Sequence, residues 1–149
     1  MDGVLLLDKP IGPTSHDMVY KIRRLYGTRK VGHAGTLDPF ASGLLVMLIG
    51  QATKISNFLL NADKTYEAEL QLGAATDTLD HTGKITDTAL VGSFTARDAE
   101  RILCSLAGEF EQTPPMFSAI KVNGAPLHRA ARRGKEVERK AKIVHIYAL

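Results

Sequence analysis

One carboxylate, Asp38, stands among glycines and a proline in the segment GHAGTLDPFASGLL, residues 32–45, just before an apolar run. An Asp that precedes a proline often only closes a turn. An ionised carboxylate can also attack an electrophilic carbon or balance a developing positive charge. The glycines permit a sharp bend or a close approach to a ligand, and Arg29, Lys30 and His33 would supply nearby positive charge. The sequence therefore supports two hypotheses for Asp38, a turn residue or a reactive group.

Other motifs that carry chemistry are incomplete or absent from the sequence. GTRKVGH, residues 27–33, has the spacing of a phosphate-binding loop, but His33 stands where that motif needs a lysine. The histidines are scattered singly and the one cysteine has no CxxC partner, so we expect no metal site. DTLDHTG, residues 77–83, lacks the alternating ligands of a calcium loop. No GxSxG segment is present, although composition alone leaves a Ser-His-Asp triad open.

Basic residues are concentrated in two segments of the chain. Residues 21–30 carry five Lys or Arg and no acid, residues 121–142 carry eight against two acids, and the rest is net acidic. This distribution is typical of a surface that binds a polyanion, since each neutralised phosphate releases counterions. The alternative is that both segments are solvated helix faces. The 149 residues suit one domain, and no stretch has the length of a membrane helix or the pattern of a signal peptide, so we expect a cytoplasmic protein.

The pattern of apolar residues predicts the elements that would position Asp38. GVLLLDKP predicts a short strand, and Ser15 is the predicted cap of a helix over residues 16–26 that Gly27 ends. A loop is predicted over residues 28–42, and GLLVMLIG predicts a buried strand. These elements place Asp38 between an amphipathic helix and a core strand.

The remainder of the sequence predicts further helices and strands. Residues 52–61 are predicted to be helical, and residues 64–73 alternate apolar and polar residues as a half-buried strand does. After a turn-rich loop, TARDAERILCSLAG predicts a capped helix that ends at Gly108. The Asn-Gly pair in MFSAIKVNG predicts a hairpin, and a short helix is predicted over residues 128–133. KIVHIYAL predicts a final strand with no return strand, so we expect its partner to be missing from the chain.

Four segments together resemble one enzyme family. GVLLLDKPIGPTS, GHAGTLDPFASGLLVMLIGQATK, DKTYEAELQLGAATDTLDHTG and PPMFSAIKVNGAPLHRAARRG are similar, in order and spacing, to the bacterial TruB-type tRNA pseudouridine synthases. The resemblance runs from Gly3 to Leu149. It implies an α+β fold with a mixed, largely antiparallel sheet flanked by helices, incomplete in this chain. It also implies an RNA isomerase that converts the T-loop uridine of tRNA to pseudouridine without a metal or an organic cofactor.

The resemblance implies roles for individual residues. Asp38 matches the catalytic aspartate, and a carboxylate can either add to the ribose C1′ or support an oxocarbenium-like charge there. His33 matches the histidine that packs into the T loop where the target base has left. Tyr66 matches the tyrosine that stacks on the flipped uracil, Lys64 adds a phosphate or polar contact, and Lys9 belongs to a motif that supports the active-site loop. On pattern alone, His33 is a surface or capping residue, Tyr66 a core strand residue and Lys64 a solvated strand end.

The family's pattern extends beyond this sequence. Its members continue with a Gly-Thr-Tyr-Ile-Arg type motif, whose arginine pairs with the catalytic aspartate, and with a C-terminal RNA-binding domain. We therefore expect residues 1–149 to form the N-terminal part of the catalytic domain, without its C-terminal half and without the RNA-binding domain. The chain alone is then expected to be inactive or very weak. The expected partner is the T stem-loop of tRNA, bound by a monomer that makes no contact with a membrane.

Two other functions fit parts of the same sequence. The basic segments alone would suit a module that binds RNA without catalysis. A related synthase of the guided, dyskerin type would instead act on another RNA. The segment LDPFASGLL is more similar to the bacterial stand-alone enzymes, which favours the tRNA synthase.

Overall fold

The computed structural model describes residues 1–116, 118, 121–122, 125–127 and 133–149. The chain divides into two compact units, Met1–Glu67 and Ala68–Leu149. Helices and strands are both present, and every strand pair among the described residues is antiparallel, which confirms the predicted α+β class. These strands form four small sheets. Within the described ranges, no helix combines the length and apolar character needed to cross a bilayer.

A three-stranded antiparallel sheet forms the centre of the first unit. Strand β3 (Gly43–Ile49) lies between β1 (Gly3–Lys9) and β2 (Val31–His33). The two strands predicted from GVLLLDKP and GLLVMLIG are confirmed. Strand β2 lies inside the predicted loop over residues 28–42, because three residues are too few to show a period-two pattern in the sequence.

Helix α1 (Ser15–Tyr26) packs against this sheet. The hydroxyl of its N-cap residue Thr14 accepts a hydrogen bond from the Asp17 N–H, and the Asp17 carboxylate accepts one from the Thr14 N–H. This reciprocal arrangement is a capping box, so the predicted cap at Ser15 is wrong by one residue. Gly27 ends the helix in the left-handed conformation, as predicted.

The core of the first unit joins α1 to the sheet. Its buried side chains are Met18, Val19, Ile22, Val31, Leu45, Met47 and Ile49. Leu37, from the loop that carries Asp38, packs against this cluster. Each fully buried side chain of this size contributes about 1.5–3 kcal/mol by leaving water, so the cluster fixes α1 and the loop on one scaffold.

The segment after β3 is helical and then irregular. A 3₁₀ helix (Gly50–Ile55) and helix α2 (Ser56–Leu60) confirm the predicted helical region. The strand predicted over residues 64–73 is absent from the described structure, and Tyr66 and Leu70 in this segment are 68% and 82% exposed. That prediction is wrong because no described strand pairs with the segment, and an alternating pattern does not by itself supply a partner.

The second unit begins with a hairpin and a helix. Strands β4 (Ala74–Thr76) and β5 (Ile85–Thr88) pair around the predicted turn-rich loop. Helix α3 (Ala96–Ser105) follows, with Thr95 and Asp98 forming a second capping box. The predicted helix is thus confirmed, although it ends before Gly108 because that residue begins the next strand.

The final strand of the second unit has a partner. Strand β9 (Lys142–Ile146) pairs antiparallel with β6 (Gly108–Gln112), so the expectation that its partner is missing is wrong. The sequence of β6, GEFEQ, is mostly charged and polar, and it gave no strand signal. Strands β7 (Lys121–Val122) and β8 (Ala125–Pro126) pair antiparallel, as the hairpin prediction requires, and the Asn-Gly pair between them lies outside the described residues. The helix predicted over residues 128–133 lies outside the described residues, except at its last position.

Candidate active site

The connection between β2 and β3 carries Asp38 and is anchored to the first residue of α1 and to the segment before it. The Gly12 N–H donates to the Pro39 carbonyl at 2.7 Å. The Ser15 hydroxyl donates to the Leu37 carbonyl at 3.0 Å and accepts a hydrogen bond from the Leu37 N–H at 2.9 Å. The backbone is therefore held on both sides of Asp38.

Lys9 provides a third anchor for the same loop. This residue ends β1 and has no exposed surface. Its ammonium donates to the Pro10 carbonyl at 3.0 Å and to the Ala41 carbonyl at 2.7 Å. A buried ammonium requires such acceptors, because an unpaired charge away from water is strongly destabilising. Lys9 thus ties the end of β1 to the loop three residues after Asp38.

The Asp38 side chain is exposed, and within the described part of the chain it makes no hydrogen bond or ion pair. Its carbonyl accepts a hydrogen bond from the Ala41 N–H at 3.1 Å, which closes a four-residue turn with Pro39 in the second position. The backbone alone closes this turn, so the carboxylate is available to a ligand. The cation expected beside it is not seen among the described residues, and the Lys30 ammonium instead donates to Gln51 Oε1 at 3.3 Å.

His33 ends β2, immediately before the same loop. Its ring is half-buried, and Nδ1 donates to the Gly35 carbonyl oxygen. A neutral ring with this partner carries its proton on Nδ1, which leaves Nε2 as an acceptor. Gly35 has φ +114°, a conformation that favours glycine, so the bend that brings its carbonyl to the ring depends on that residue type.

Lys64 and Tyr66 follow α2 in the exposed irregular segment. The Lys64 ammonium donates to the Leu60 carbonyl at 2.9 Å and the Ala62 carbonyl at 2.7 Å, at the end of the helix that favours positive charge. A Cβ placed on Gly35 would lie 3.9 Å from Lys64 Cε, so the Lys64 side chain lies beside the loop that carries Asp38. Tyr66 is not a core residue, and its ring is accessible to a ligand.

The first basic segment lies at the surface of the first unit. Four of its cations are exposed and pair with no carboxylate among the described residues: Lys21, Arg24, Arg29 and Lys30. Arg23 differs, since its Nη2 donates to the Val31 carbonyl at 3.2 Å and its guanidinium lies 5.8 Å from the centre of the Tyr20 ring. Arg23 therefore joins α1 to β2, whereas the other four can attract a polyanion.

Three carboxylates outside the predicted site have lowered pKa values. The hydroxyl and N–H of Thr14 lower the pKa of Asp17, and Thr95 lowers the pKa of Asp98 in the same way. Burial raises the pKa of Asp80, but hydrogen bonds from neighbouring threonines outweigh it and the net direction is downward. Among the described residues, no three His, Cys, Asp or Glu side chains come together as a metal site.

Residues 23–149 match the profile of the family described as TruB family pseudouridylate synthase (N terminal domain). The chain belongs to the TruB family. A similar curated protein is the tRNA pseudouridine synthase B of Geobacillus thermodenitrificans, 56% identical over 150 residues, which cover 100% of this chain and 50% of that protein. This TruB-family chain spans about half the length of the curated relatives it matches.

Two solved structures resemble the TruB-family chain in fold. The crystal structure of a Cbf5-Nop10-Gar1 complex matches with a TM-score of 0.56 and 31% identity, over 80% of this chain and 31% of that chain. The structure of an H/ACA RNP bound to a substrate RNA containing 2'-deoxyuridine matches with a TM-score of 0.51 and 27% identity, over 82% of this chain and 34% of that chain. The resemblance found in the sequence is thus confirmed for both the family and the fold.

The sequence did not identify Ser15 as an anchor of the loop that carries Asp38. A signal was nevertheless present, because Ser15, Met18, Val19 and Ile22 have the spacing of one helical face. A serine on an apolar face is expected to be buried, and a buried hydroxyl needs a hydrogen-bond partner. The identity of that partner, Leu37, depends on a contact across 22 residues that no local pattern shows.

Proposed function

We propose that this chain supplies the Asp38-bearing part of a tRNA pseudouridine synthase that isomerises the T-loop uridine of tRNA. One observation carries the proposal, namely that an exposed, unpaired carboxylate stands on a loop anchored at both sides in a TruB-family chain. The name of the relative from Geobacillus thermodenitrificans supports tRNA as the substrate. The T stem-loop as the bound element, a monomeric enzyme and a cytoplasmic location belong to the same proposal.

In the proposed reaction the N1–C1′ glycosidic bond of uridine breaks, the uracil turns and a C5–C1′ bond forms. The base loses the proton on C5 and gains one on N1, so the product is an isomer and no oxidant or co-reactant is needed. The Asp38 carboxylate either adds to C1′ or balances the positive charge that develops there while protons move. The uridine must leave the base stack first, because a stacked base cannot turn.

Three further side chains complete the proposed site. The half-buried His33 ring, at the end of β2, would fill the gap that the extruded base leaves in the T loop. The exposed Tyr66 ring offers a face on which uracil can stack. The Lys64 ammonium has three donors and uses two on carbonyls, which leaves one for a phosphate or polar contact. The reaction proposed needs no metal and no organic cofactor.

The proposal is tested by Asp38→Asn in the full natural protein that contains this sequence. Asparagine keeps the shape of the side chain and removes its charge and nucleophilicity. We expect pseudouridine formation in a T stem-loop RNA, measured by pseudouridine-specific chemical probing, to fall by about 10²–10⁴-fold or more. RNA affinity should stay near that of the parent. The matched control is Asp87→Asn, an equal charge change at an exposed position in β5, which should retain full activity. Activity of Asp38→Asn within a few-fold of the parent would reject the proposed role.

RNA binding without catalysis is a second candidate function, favoured by the four exposed cations of the first basic segment. It predicts salt-sensitive RNA binding with no pseudouridine product, even in the full natural protein. Product formation that requires Asp38 decides against it.

A guided synthase that acts on another RNA is a third candidate, favoured by the likeness in fold to the H/ACA RNP structure. The identity to that structure is 27%, whereas the identity to the tRNA enzyme of Geobacillus thermodenitrificans is 56%. Turnover of tRNA by the purified protein without any guide RNA would favour the tRNA synthase, and a requirement for a guide RNA would favour the guided synthase.

A further inference from the structure

We propose that Ser15 is a positioning residue, whose buried hydroxyl holds the Leu37 backbone and thereby fixes the backbone from which the Asp38 carboxylate projects. This inference rests on the proposed function, since it gives Ser15 a role in the reaction assigned to Asp38. Ser15 is 2% exposed and is one of two buried polar or charged side chains among the described residues, the other being Lys9.

One hydroxyl satisfies both polar groups of the Leu37 peptide backbone. It donates to the carbonyl at 3.0 Å and accepts from the N–H at 2.9 Å, which is the pair of hydrogen bonds that a neighbouring strand would otherwise supply. Leu37 lies in an irregular loop and belongs to none of the described strand pairs. Ser15 thus substitutes for a strand at the position immediately before Asp38.

Both partners of this contact are held by other interactions. Ser15 is the first residue of α1, whose buried face, with Met18 and Val19, packs in the core cluster. The Leu37 side chain packs against the core cluster. The contact therefore joins a rigid helix end to a residue that cannot easily move.

The residue after Asp38 is held as well. A proline restricts the backbone of the residue before it, so Pro39 limits the conformations of Asp38. The Pro39 carbonyl accepts a hydrogen bond from the Gly12 N–H at 2.7 Å. With both neighbours fixed, the position of the carboxylate depends mainly on its two side-chain torsions.

Alanine at position 15 would remove the hydroxyl and leave both Leu37 backbone groups without this partner. The loop is then expected to shift or to sample several positions, and a displacement of 1 Å at a reacting group can lower a rate by about 10²-fold. The Ser15 hydroxyl is buried and would not itself contact the RNA, so substrate binding should depend on other groups. The loss should therefore fall on kcat and leave KM nearly unchanged.

The test compares Ser15→Ala with Thr14→Ala in the full natural protein. Thr14→Ala removes the helix cap next to Ser15, and the Thr14 side chain hydrogen-bonds to Asp17 and not to Leu37 in the described structure, so this variant reproduces a general weakening of α1. We expect Ser15→Ala to lower kcat on a T stem-loop by about 10–100-fold, with KM within about threefold, and Thr14→Ala to keep kcat within about twofold. A Ser15→Ala enzyme with parental kcat, or an equal loss in both variants, would overturn the inference.

Amide hydrogen exchange separates this inference from the proposed function. We expect the Leu37 amide to exchange at least about tenfold faster in Ser15→Ala than in Thr14→Ala, because only the first variant removes its acceptor. Equal exchange would refute the positioning role even in an active enzyme. Asp38→Asn could remain active while the Leu37 amide exchanges faster in Ser15→Ala than in Thr14→Ala. In that case the function assigned to Asp38 is rejected, but the contact between Ser15 and the Leu37 backbone is supported.

Discussion

Replacing Gly50 with alanine should destabilise the first unit more than its small size suggests. Gly50 has φ +63°, where a residue with a Cβ is disfavoured by about 1–2 kcal/mol. The added Cβ would also lie 2.5 Å from the Met1 carbonyl oxygen and would overlap the Asp2 carboxylate. That carboxylate accepts a hydrogen bond from the Gln51 N–H at 2.7 Å at an exposed position, and losing this bond would cost about 0.5–1.5 kcal/mol. We expect a total loss of about 1.5–3.5 kcal/mol in the free energy of unfolding.

The matched control for this substitution is Gly27→Ala. Gly27 has φ +60°, but a Cβ there would meet no atom within 4 Å, so its alanine variant isolates the backbone cost. Urea denaturation of both variants, followed by circular dichroism, gives the two free energies. The difference between them should be about 0.5–1.5 kcal/mol, with Gly50→Ala the less stable. Equal stabilities would refute the reasoning that Asp2 and Met1 pack against Gly50.

Three further predictions concern the core, the helix caps and the basic surface. Leu45→Ala should lower the free energy of unfolding by about 2–5 kcal/mol, and Leu44→Ala by less than about 1 kcal/mol, because Leu45 is 1% exposed and Leu44 is 64% exposed. The pKa values of Asp17 and Asp98 are lowered, so both carboxylates stabilise the fold above their ordinary pKa of 3.8, and this contribution is lost as the pH falls through the lowered values. The double variant Asp17→Asn, Asp98→Asn should therefore show a smaller decline of Tm in acid than the parent. An unchanged decline would contradict this. The double variant Lys21→Ala, Arg24→Ala should bind RNA with a weaker salt dependence. The slope of log affinity against log salt concentration should fall in magnitude by about 0.7–0.9 for each phosphate that the variant no longer neutralises, whereas Lys54→Ala should leave the slope unchanged.

The fold could be predicted where a run of apolar residues is long enough to show its own periodicity. Strands β1 and β3 and helix α1 follow directly from runs of apolar residues. Strand β6 could not be predicted, since GEFEQ carries little apolar signal and is defined by its pairing with β9. Residues 64–73 show the opposite error, because their alternation is strong but no described strand pairs with them.

The candidate site could be predicted in part. The residues around Asp38 form a specific motif, so the carboxylate and the neighbouring His33 were identified from the sequence. The anchors of the loop were harder to identify, because Gly12 and Ser15 act through contacts with residues more than 20 positions away. The expected cation beside Asp38 illustrates the same limit, since nearness in sequence did not bring Lys30 to the carboxylate.

The most direct test of the role of Asp38 is a structure of the full natural protein bound to a T stem-loop. In that complex the target uridine should be out of the base stack, with a carboxylate oxygen of Asp38 about 3–3.5 Å from the ribose C1′. A uridine that remains stacked, or a different carboxylate nearest to C1′, would contradict the mechanism proposed for this chain.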